Sequence, residues 1–351
     1  MDSISHVPYG SLESFRPAKI DEYLETYVND IIVQEKIHGS NIVILGKMTE
    51  TGWEFKLGSR KKWISMTDNF NNFQSLFTSE RKNIENLFDN VKEIYDSKNE
   101  STTVRIYGEI FGGKYGREST KGSFKTQTDP NYCPRNDFAF FDMYVNDRCI
   151  PILDAHSLIN KHNLKIAPVI FQGPLSVFLK DFDIESFKSV VSKEFYNLDF
   201  LDVPKSTEGV TIRTIGVCDP DSNDAVILKY KQAWITENRR THLRENKKID
   251  NSDELTESCL SMLNISRLDA YKSKNTLNDM TNAKLLPVHM KNIIEDTIED
   301  IQKEFPFDQY PSLKMKELKG LLSKKGFPML KKYIRELDTV SLPLETRLDN
   351  L

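Results

Sequence analysis

The chain has 351 residues, 38% hydrophobic and 28% charged, with a formal net charge of −4, which predicts a soluble globular protein of two ordinary domains. No run of 18 apolar residues is present, so we expect no transmembrane helix and no membrane partner. The first residues lack the basic and apolar segments of a secretory signal, and the net negative charge argues weakly against a nucleic-acid partner.

Up to about residue 235, the chain is dominated by short β-branched and aromatic runs separated by turn residues, which predicts strands. Helical patterns are interleaved without strict alternation, so an α+β fold with antiparallel sheets is favoured over a doubly wound sheet. The predicted strands are Asn41–Leu45, Trp53–Leu57, Val104–Phe111, Phe138–Val145, Lys165–Phe171, Val210–Ile215 and Ala225–Tyr230. The predicted helices are Asn72–Tyr95 and Leu175–Glu194.

After residue 235 the pattern is helical, with apolar residues at helical spacing. The predicted helices are Asp253–Leu263, Pro287–Phe305, Leu313–Ser323 and Met329–Leu337, the last two separated by Gly326-Phe327-Pro328. We therefore predict two domains, residues 1–240 and a small all-helical domain at residues 245–351.

A lysine, Lys36, lies in Gln34–Asn41 between the apolar runs Ile31–Val33 and Ile42–Leu45. This pattern predicts a lysine at the end of one strand, beside a glycine turn that leads into the next strand. Such a turn can hold an amine against a phosphate.

Free lysine has a pKa near ~10.4, so Lys36 must lose a proton before it can attack phosphorus. Lys229 and Lys231 are two residues apart in a predicted strand and should face the same way. We expect them to neutralise phosphates and to lower the pKa of Lys36. The alternative is an ordinary exposed strand face.

Three further segments carry candidate nucleotide contacts. Glu109 is a carboxylate between strand glycines and could accept a hydrogen bond from a ribose, or could simply face outward from a hairpin. Phe141 could stack on a purine, worth about 1–3 kcal/mol, although Phe140 and Phe141 face opposite ways and at most one can do so. Glu208 could bind Mg²⁺, and Arg60 could contact ribose or phosphate.

Basic residues cluster twice in the last third of the chain, although residues 236–351 hold 20 Lys/Arg against 19 Asp/Glu. One cluster is Arg239–Lys248 and the other runs from Lys314 through Lys332. Each is either a solvated helix face or a contact for a phosphate backbone, which needs only local positive charge.

The four cysteines are scattered without a CxxC pair, which predicts reduced thiols in an intracellular, cytosol-like compartment. The six histidines form no HxxxH or His/Cys cluster, so we expect no zinc site.

The order of the motifs KIHG, YGEIFGG, FFDMYV, EGVTIR and ILKYK resembles that of the covalent nucleotidyltransferases, the polynucleotide ligases and mRNA capping enzymes. Within this superfamily the chain most resembles the RNA ligase 2 family, which includes bacteriophage-type and RNA-editing ligases. The specific pointer is His38, where many DNA ligases and capping enzymes carry Asp. The resemblance covers residues 30–235.

The resemblance implies an ATP-grasp-like ligase adenylation domain followed by a helical domain that binds nucleic acid. It implies a monomeric, ATP-dependent RNA ligase that uses Mg²⁺ or Mn²⁺ and joins an RNA 3′-hydroxyl to a 5′-phosphate, sealing nicks in duplex RNA. Lys36 would become linked to AMP. The other matching positions would contact adenine (Glu35, the backbone of Ile37, Phe141), ribose or phosphates (Asn41, Arg60, Glu109, Lys229, Lys231) and metal (Glu208).

Two other functions stay open. A capping-type guanylyltransferase would use GTP, but His38 and the absence of a β-rich tail count against it. A non-catalytic RNA-binding protein with the same domain would have lost motif residues, and the acceptor positions above are all present.

Overall fold

Two sheets and two groups of helices make up the part of the chain that the computed structural model describes. This part comprises residues 4–26, 30–99, 101–127, 129–198, 207–215, 227–233, 252–304, 307 and 314–341. The chain divides into two compact units, Met1–Ala233 and Trp234–Leu351. The predicted cluster Arg239–Lys248 lies outside the described residues.

The first unit contains both sheets. The first sheet has the strand order β1 (Glu13–Ser14), β11 (Leu228–Lys231), β10 (Gly209–Thr214), β2 (Ile31–Glu35) and β9 (Val169–Gly173). The second has the order β5 (Trp63–Ile64), β4 (Gly52–Ser59), β3 (Ser40–Thr49), β6 (Thr103–Lys114), β7 (Cys133–Val145) and β8 (Arg148–Cys149). The pairings are antiparallel apart from β1 with β11, so the predicted α+β class with antiparallel sheets is confirmed.

A long amphipathic helix, α2 (Phe73–Tyr95), covers one face of the second sheet. Its buried residues Phe73, Phe77, Ile84 and Phe88 recur at helical spacing and pack against the alternate, inward-facing side chains of the strands. The remaining helices of this unit are α1 (Ile20–Thr26), α3 (Ile152–Lys161), α4 (Leu175–Asp181) and α5 (Val191–Tyr196).

The predicted helix Leu175–Glu194 is wrong, because the chain forms the two short helices α4 and α5 instead. The chain leaves the helix at Phe182, which is extended, and the backbone N–H of Val190 donates to the buried carboxylate of Glu35. A tertiary contact therefore overrides the local helical pattern.

The predicted strand Lys165–Phe171 begins too early, since β9 starts at Val169. Pro168 has no N–H, and its carbonyl accepts the backbone N–H of Glu35 at 2.9 Å. Residues 165–168 therefore hold the sheets together through single contacts, such as the bridge between Ile166 and Phe140.

The second unit is helical over its described residues. Its helices are α6 (Ser252–Met262), α7 (Ile265–Lys272), α8 (Leu277–Thr281), α9 (Leu286–Glu304) and α10 (Met315–Ser341). They surround an apolar core that includes Leu255, Leu268, Ile293, Leu322 and Leu330.

The predicted break at Gly326-Phe327-Pro328 is wrong, because α10 runs through it. A side chain at Gly326 would lie 2.4 Å from the Met290 side chain, so glycine permits close helix packing there. Pro328 is exposed, and the apolar residues Leu322 and Leu330 keep one face of the continuous helix on the core.

Among the described helices, none combines the length with the apolar composition that a membrane span requires. Cys133 and Cys259 are free and buried, as expected, whereas Cys149 is disulfide-bonded, which corrects the expectation of four reduced thiols.

Candidate active site

Lys36 lies directly after β2, where the first sheet brings it beside the start of β10. The Lys36 backbone N–H donates to the carbonyl of Gly209 at 2.9 Å, and Glu35 is paired with Val210. Gly209 has φ +142°, and a Cβ there would lie 2.2 Å from the Tyr230 carbonyl, so this position requires glycine. The pairing of β2 with β10 thereby places Glu208 next to Lys36.

Glu208 is the centre of an ion cluster. One of its carboxylate oxygens accepts from the Lys36 Nζ at 2.9 Å and lies 3.1 Å from the His38 Nδ1. The other oxygen pairs with the Lys231 ammonium. Burial works to raise the pKa of Glu208, but the charges of Lys231, Lys36 and His38 hold it well below its usual range. Glu208 is therefore ionised at neutral pH although it is only 2% exposed.

The pKa of Lys36 is raised, not lowered as we predicted. Burial works to lower it, but the nearby carboxylates of Glu208 and Glu109 outweigh burial. One hydrogen bond of the Lys229 ammonium goes to the Leu12 carbonyl at 2.6 Å, which lies outside the Glu208 cluster. The expectation failed because Glu208 and Glu109, both predicted in this site, act on the Lys36 ammonium more strongly than the neighbouring cation Arg60 does.

Glu109 and Asn41 line the other side of Lys36, on paired positions of β6 and β3. Glu109 accepts the Gly39 backbone N–H at 3.1 Å, and burial raises its pKa to about 7. A Cβ at Gly39 would lie 2.0 Å from the Ile110 carbonyl, so the turn fits only glycine. The Asn41 amide donates weakly to Gly108 at 3.4 Å, while its buried Oδ1 has no hydrogen-bond partner among the described residues.

Arg60 and Phe141 reach the same region from the second sheet. Arg60 follows β4, is exposed, and acts electrostatically on both Lys36 and Glu109. Phe141 sits at an irregularity in the β6–β7 pairing and is half-buried, with its ring 4.9 Å from that of Tyr9. Phe140 is fully buried in the core on the opposite face.

Glu35 is not placed to read an adenine edge with its side chain. Its carboxylate is 1% exposed and accepts the backbone N–H groups of Val190 at 2.8 Å and Val191 at 3.3 Å. Burial raises its pKa to about 7. The Glu35 side chain therefore holds the segment before α5 against the end of β2. Because side chains alternate along a strand, it faces away from the Lys36 side.

The sequence missed two residues that hold the turn after Lys36. The Tyr132 hydroxyl accepts the His38 backbone N–H at 2.9 Å, and Gln127 donates to the Gly39 carbonyl at 2.8 Å. Both come from the connection between β6 and β7, which carries no recognisable motif. Ile37 is buried in the same small apolar cluster as Tyr132 and Phe111.

The sequence also missed a buried ion pair that joins the two sheets. Arg213 on β10 donates to Asp142 on β7 at 2.5 Å, and the Tyr9 hydroxyl donates to the other Asp142 oxygen. Arg213 is 2% and Asp142 is 1% exposed at the side chain. The sequence does contain a signal for this ion pair, because Arg213 and Asp142 are charged residues within largely apolar predicted strands.

The described residues include no group of three or more His, Cys, Asp or Glu side chains that could hold a metal by themselves. A single carboxylate such as Glu208 would leave most ligands of a divalent cation to be supplied from outside the described residues.

The sequence profile of the RNA ligase family matches residues 29–231. No curated protein sequence matches the chain. Similar solved structures include Naegleria gruberi RNA ligase with PPi, at 13% identity and TM-score 0.42, covering 67% of this chain and 58% of that one. Mutants of the same ligase match at 14% identity and TM-score 0.42, one with ATP and Mn, covering 66% of this chain and 58% of that chain, and one with AMP and Mn, covering 66% and 57%. This chain thus covers less than two thirds of each of them.

Proposed function

Because this chain belongs to the RNA ligase family, we propose that it is an ATP-dependent RNA ligase that works through a lysine–AMP intermediate. The observation that carries the proposal is the convergence of Lys36 with Glu208, Lys231 and Glu109 at one turn between two sheets. Residues 1–240 would transfer the adenylyl group, and residues 245–351 would contact RNA.

In the first step, the Lys36 amine, once deprotonated, attacks the α-phosphorus of ATP. A nitrogen–phosphorus bond forms, the bond to the β-phosphate oxygen breaks, and pyrophosphate leaves. Lys231 and Arg60 would offset the negative charge on the phosphates, which is the main requirement of such a transfer.

The surrounding groups would hold the nucleotide. The exposed part of Phe141 would stack on adenine, together with contacts to the backbone of Ile37. Glu109 would accept from a ribose hydroxyl, and the unpaired Asn41 Oδ1 would take a donor from the ribose. Lys229 would approach the phosphates if its bond to Leu12 is exchanged.

Glu208 would hold a divalent cation, Mg²⁺ or Mn²⁺, whose charge would neutralise the phosphates. Glu208 is suited to this because its carboxylate remains ionised in the buried site. His38, whose Nδ1 lies 3.1 Å from Glu208, would keep that carboxylate oriented.

The second and third steps move AMP to RNA and then release it. A 5′-phosphate oxygen attacks the phosphorus of lysine–AMP, and the nitrogen–phosphorus bond breaks to return the Lys36 amine. A 3′-hydroxyl then attacks the activated 5′-phosphate, forming the phosphodiester as AMP leaves. We propose a nick in duplex RNA as the substrate.

Covalent labelling tests the proposal. The purified chain is incubated with Mg²⁺ and either ATP or GTP, and intact-mass spectrometry and peptide mapping locate the product. We expect one AMP on Lys36. The control Lys47→Ala, which alters a lysine on β3 away from the site, should carry the same adduct. GMP in place of AMP would identify a guanylyltransferase, and no adduct at all would favour a non-catalytic protein.

A further inference from the structure

The β4 side of the second sheet is only partly covered by its edge strand β5. Among the described residues, β5 pairs with β4 at Leu57 and Gly58 alone. After β5 the chain turns away from the sheet, and the Ser65 N–H donates to the Asp68 carboxylate at 2.9 Å instead. The first part of β4, residues 52–56, is therefore an open strand edge, which we call the open edge.

Two residues of the open edge present backbone groups that could pair with another strand. The Ser59 N–H donates to the Lys62 carbonyl at 2.9 Å, on the β5 side of β4. Because hydrogen-bonding direction alternates along a strand and the β3–β4 register is unbroken, Phe55 and Trp53 direct their N–H and C=O groups to that same side. In the described part of the chain, no hydrogen bond reaches these four groups. Such an exposed row is a template for a further strand.

A pocket of about 660 Å³ lies along the open edge, between β4, the residues after β5 and α2. Its apolar wall includes Phe55, Trp63, Met66 and Phe77. Met66 is 54% exposed although its side chain is apolar. Ligand pockets commonly measure about 300–1,000 Å³ and combine apolar walls with a few placed polar groups. The unpaired backbone groups therefore lie beside space for apolar side chains of a partner.

Two cations line this pocket. The Lys56 ammonium and the Arg81 guanidinium lie 5.7 and 5.5 Å from the centres of aromatic rings of the pocket wall. Lys56 has no ion pair with a described residue, and Arg81 uses its Nε for Glu85 at 2.9 Å, which leaves its terminal amino groups available. The acidic residue of the open edge, Glu54, lies directly opposite Lys47 on β3. The local charge therefore favours an acidic partner.

We propose that the open edge binds an extended, acidic peptide segment of another protein, which adds a strand to the second sheet. The peptide backbone would pair with Phe55 and Trp53, alternate apolar side chains would enter the pocket, and acidic side chains would meet Lys56 and Arg81. A small ligand could fill the pocket but would leave the four backbone groups unpaired. The inference goes beyond the proposed ligase function and does not depend on it.

Peptide selection against the full chain tests the partner's chemistry. The probe is a display library of peptides of about ten residues, a full strand length, in which Val or Ile alternates with randomised polar residues. The pocket variant Lys56→Glu/Arg81→Glu reverses both cations. The control Lys180→Glu/Lys188→Glu makes the same change in charge at two exposed lysines outside the pocket. Circular dichroism checks that both variants are folded.

The unchanged chain and the control should enrich peptides with Asp and Glu at the polar positions. The pocket variant should bind these peptides at least about tenfold more weakly, because like charges then face each other. It should instead enrich peptides with Lys and Arg, a swap that a merely unfolded variant could not produce. Equal enrichment by all three proteins, or no enrichment by the unchanged chain, would overturn the proposal.

N-methylation along a selected peptide tests the strand pairing itself. A methyl group on a backbone nitrogen removes its donor, and only alternate residues of an added strand donate to β4. Affinity measured by fluorescence anisotropy should fall about tenfold at every second residue of the paired segment and less than about twofold at the residues between them. Losses without this period of two, or no losses, would show that the pocket binds apolar side chains without strand pairing and would overturn the proposal.

Discussion

Lysine serves two different purposes in the two units of this chain. In the first unit, Lys36 and Lys231 are fixed against the buried carboxylate of Glu208, with about a fifth of each lysine side chain exposed. In the second unit, Lys316, Lys324 and Lys331 of α10 are exposed. The same residue type is therefore part of an ion cluster in one place and of a charged surface in the other.

This difference determines whether each region responds mainly to pH or to salt concentration. Buried charges interact strongly and are costly to leave uncompensated, so their protonation states and the fold are coupled. Exposed charges are screened by salt and contribute little to stability. Changes to the first unit should thus appear in chemistry and pH dependence, and changes to α10 in salt-dependent binding.

The largest effect is expected from Lys36→Ala. Removal of the proposed nucleophile should lower AMP transfer from ATP by on the order of 10³-fold or more, because water or another side chain cannot replace the positioned amine. Sealing of a strand that is already adenylated should be partly retained. Gel assays of both steps provide the measurement, with Lys47→Ala as the matched control; loss of both activities in a folded variant would contradict the division of roles.

A large effect on stability is expected from Asp142→Ala. It leaves Arg213 buried without its carboxylate, which should lower the free energy of unfolding by about 3–5 kcal/mol. Glu85→Ala breaks the exposed Arg81–Glu85 pair of α2 and should cost about 0.5 kcal/mol or less. Urea denaturation measures both.

The double variant Asp142→Leu/Arg213→Met checks whether the unpaired charge of Arg213 causes the loss of stability. Since no charge is then left unpaired, much of the lost stability should return. A cost below about 1 kcal/mol for Asp142→Ala would show that this buried pair behaves like a surface pair.

The sequence predicted the site better where the chemistry lies within one strand and its turn. Lys36 and Gly39 are three residues apart, and the strand-turn pattern around them is local. Glu208 and Lys36 are 172 residues apart, and their contact depends on the register of β2 with β10. The order of the motifs assigned both residues to the same predicted site. The rise in the pKa of Lys36, however, depends on the distances between side chains, which a motif does not specify.

The errors have the same origin. The local helical pattern predicted one helix over Leu175–Glu194. In the structure, the buried Glu35 carboxylate accepts the backbone N–H of Val190, between two short helices. Local helix breakers predicted an interruption at Gly326-Phe327-Pro328, whereas core packing carries α10 through it. In both cases a tertiary contact outweighed a local preference of about 1–3 kcal/mol.

A smaller effect is expected in the pH dependence of stability, from Glu109→Gln. The pKa of Glu109 is about 7 in the folded protein against an ordinary 4.5. The folded state therefore binds more protons between these values, and the free energy of unfolding should fall as pH rises from about 4.5 to 7. The full contribution is about 3 kcal/mol, and Glu109→Gln should make the profile shallower by that order.

Urea denaturation at several pH values measures this profile, with Glu54→Gln as an exposed control. Glu35, whose pKa is also about 7, contributes a slope of the same sign that remains in the variant. Glu208 acts in the opposite direction: its pKa is depressed, so its stabilisation is present above pH 4.5 and is lost as pH falls further. Parallel profiles for Glu109→Gln and the unchanged chain would show that Glu109 is ionised throughout.

The smallest effect, and the sharpest test of the contrast between the two regions, is on the stability of a variant that removes two exposed lysines of α10. Lys324→Ala/Lys331→Ala should leave the free energy of unfolding within about 0.5 kcal/mol of the unchanged chain, because exposed charges contribute little and alanine favours helix. Lys231→Ala should cost about 2 kcal/mol, because Glu208 then keeps a buried charge with one cation fewer. If the double variant were destabilised as much as Lys231→Ala, Lys324 and Lys331 would be structural residues, and the contrast between buried and exposed lysines would not hold.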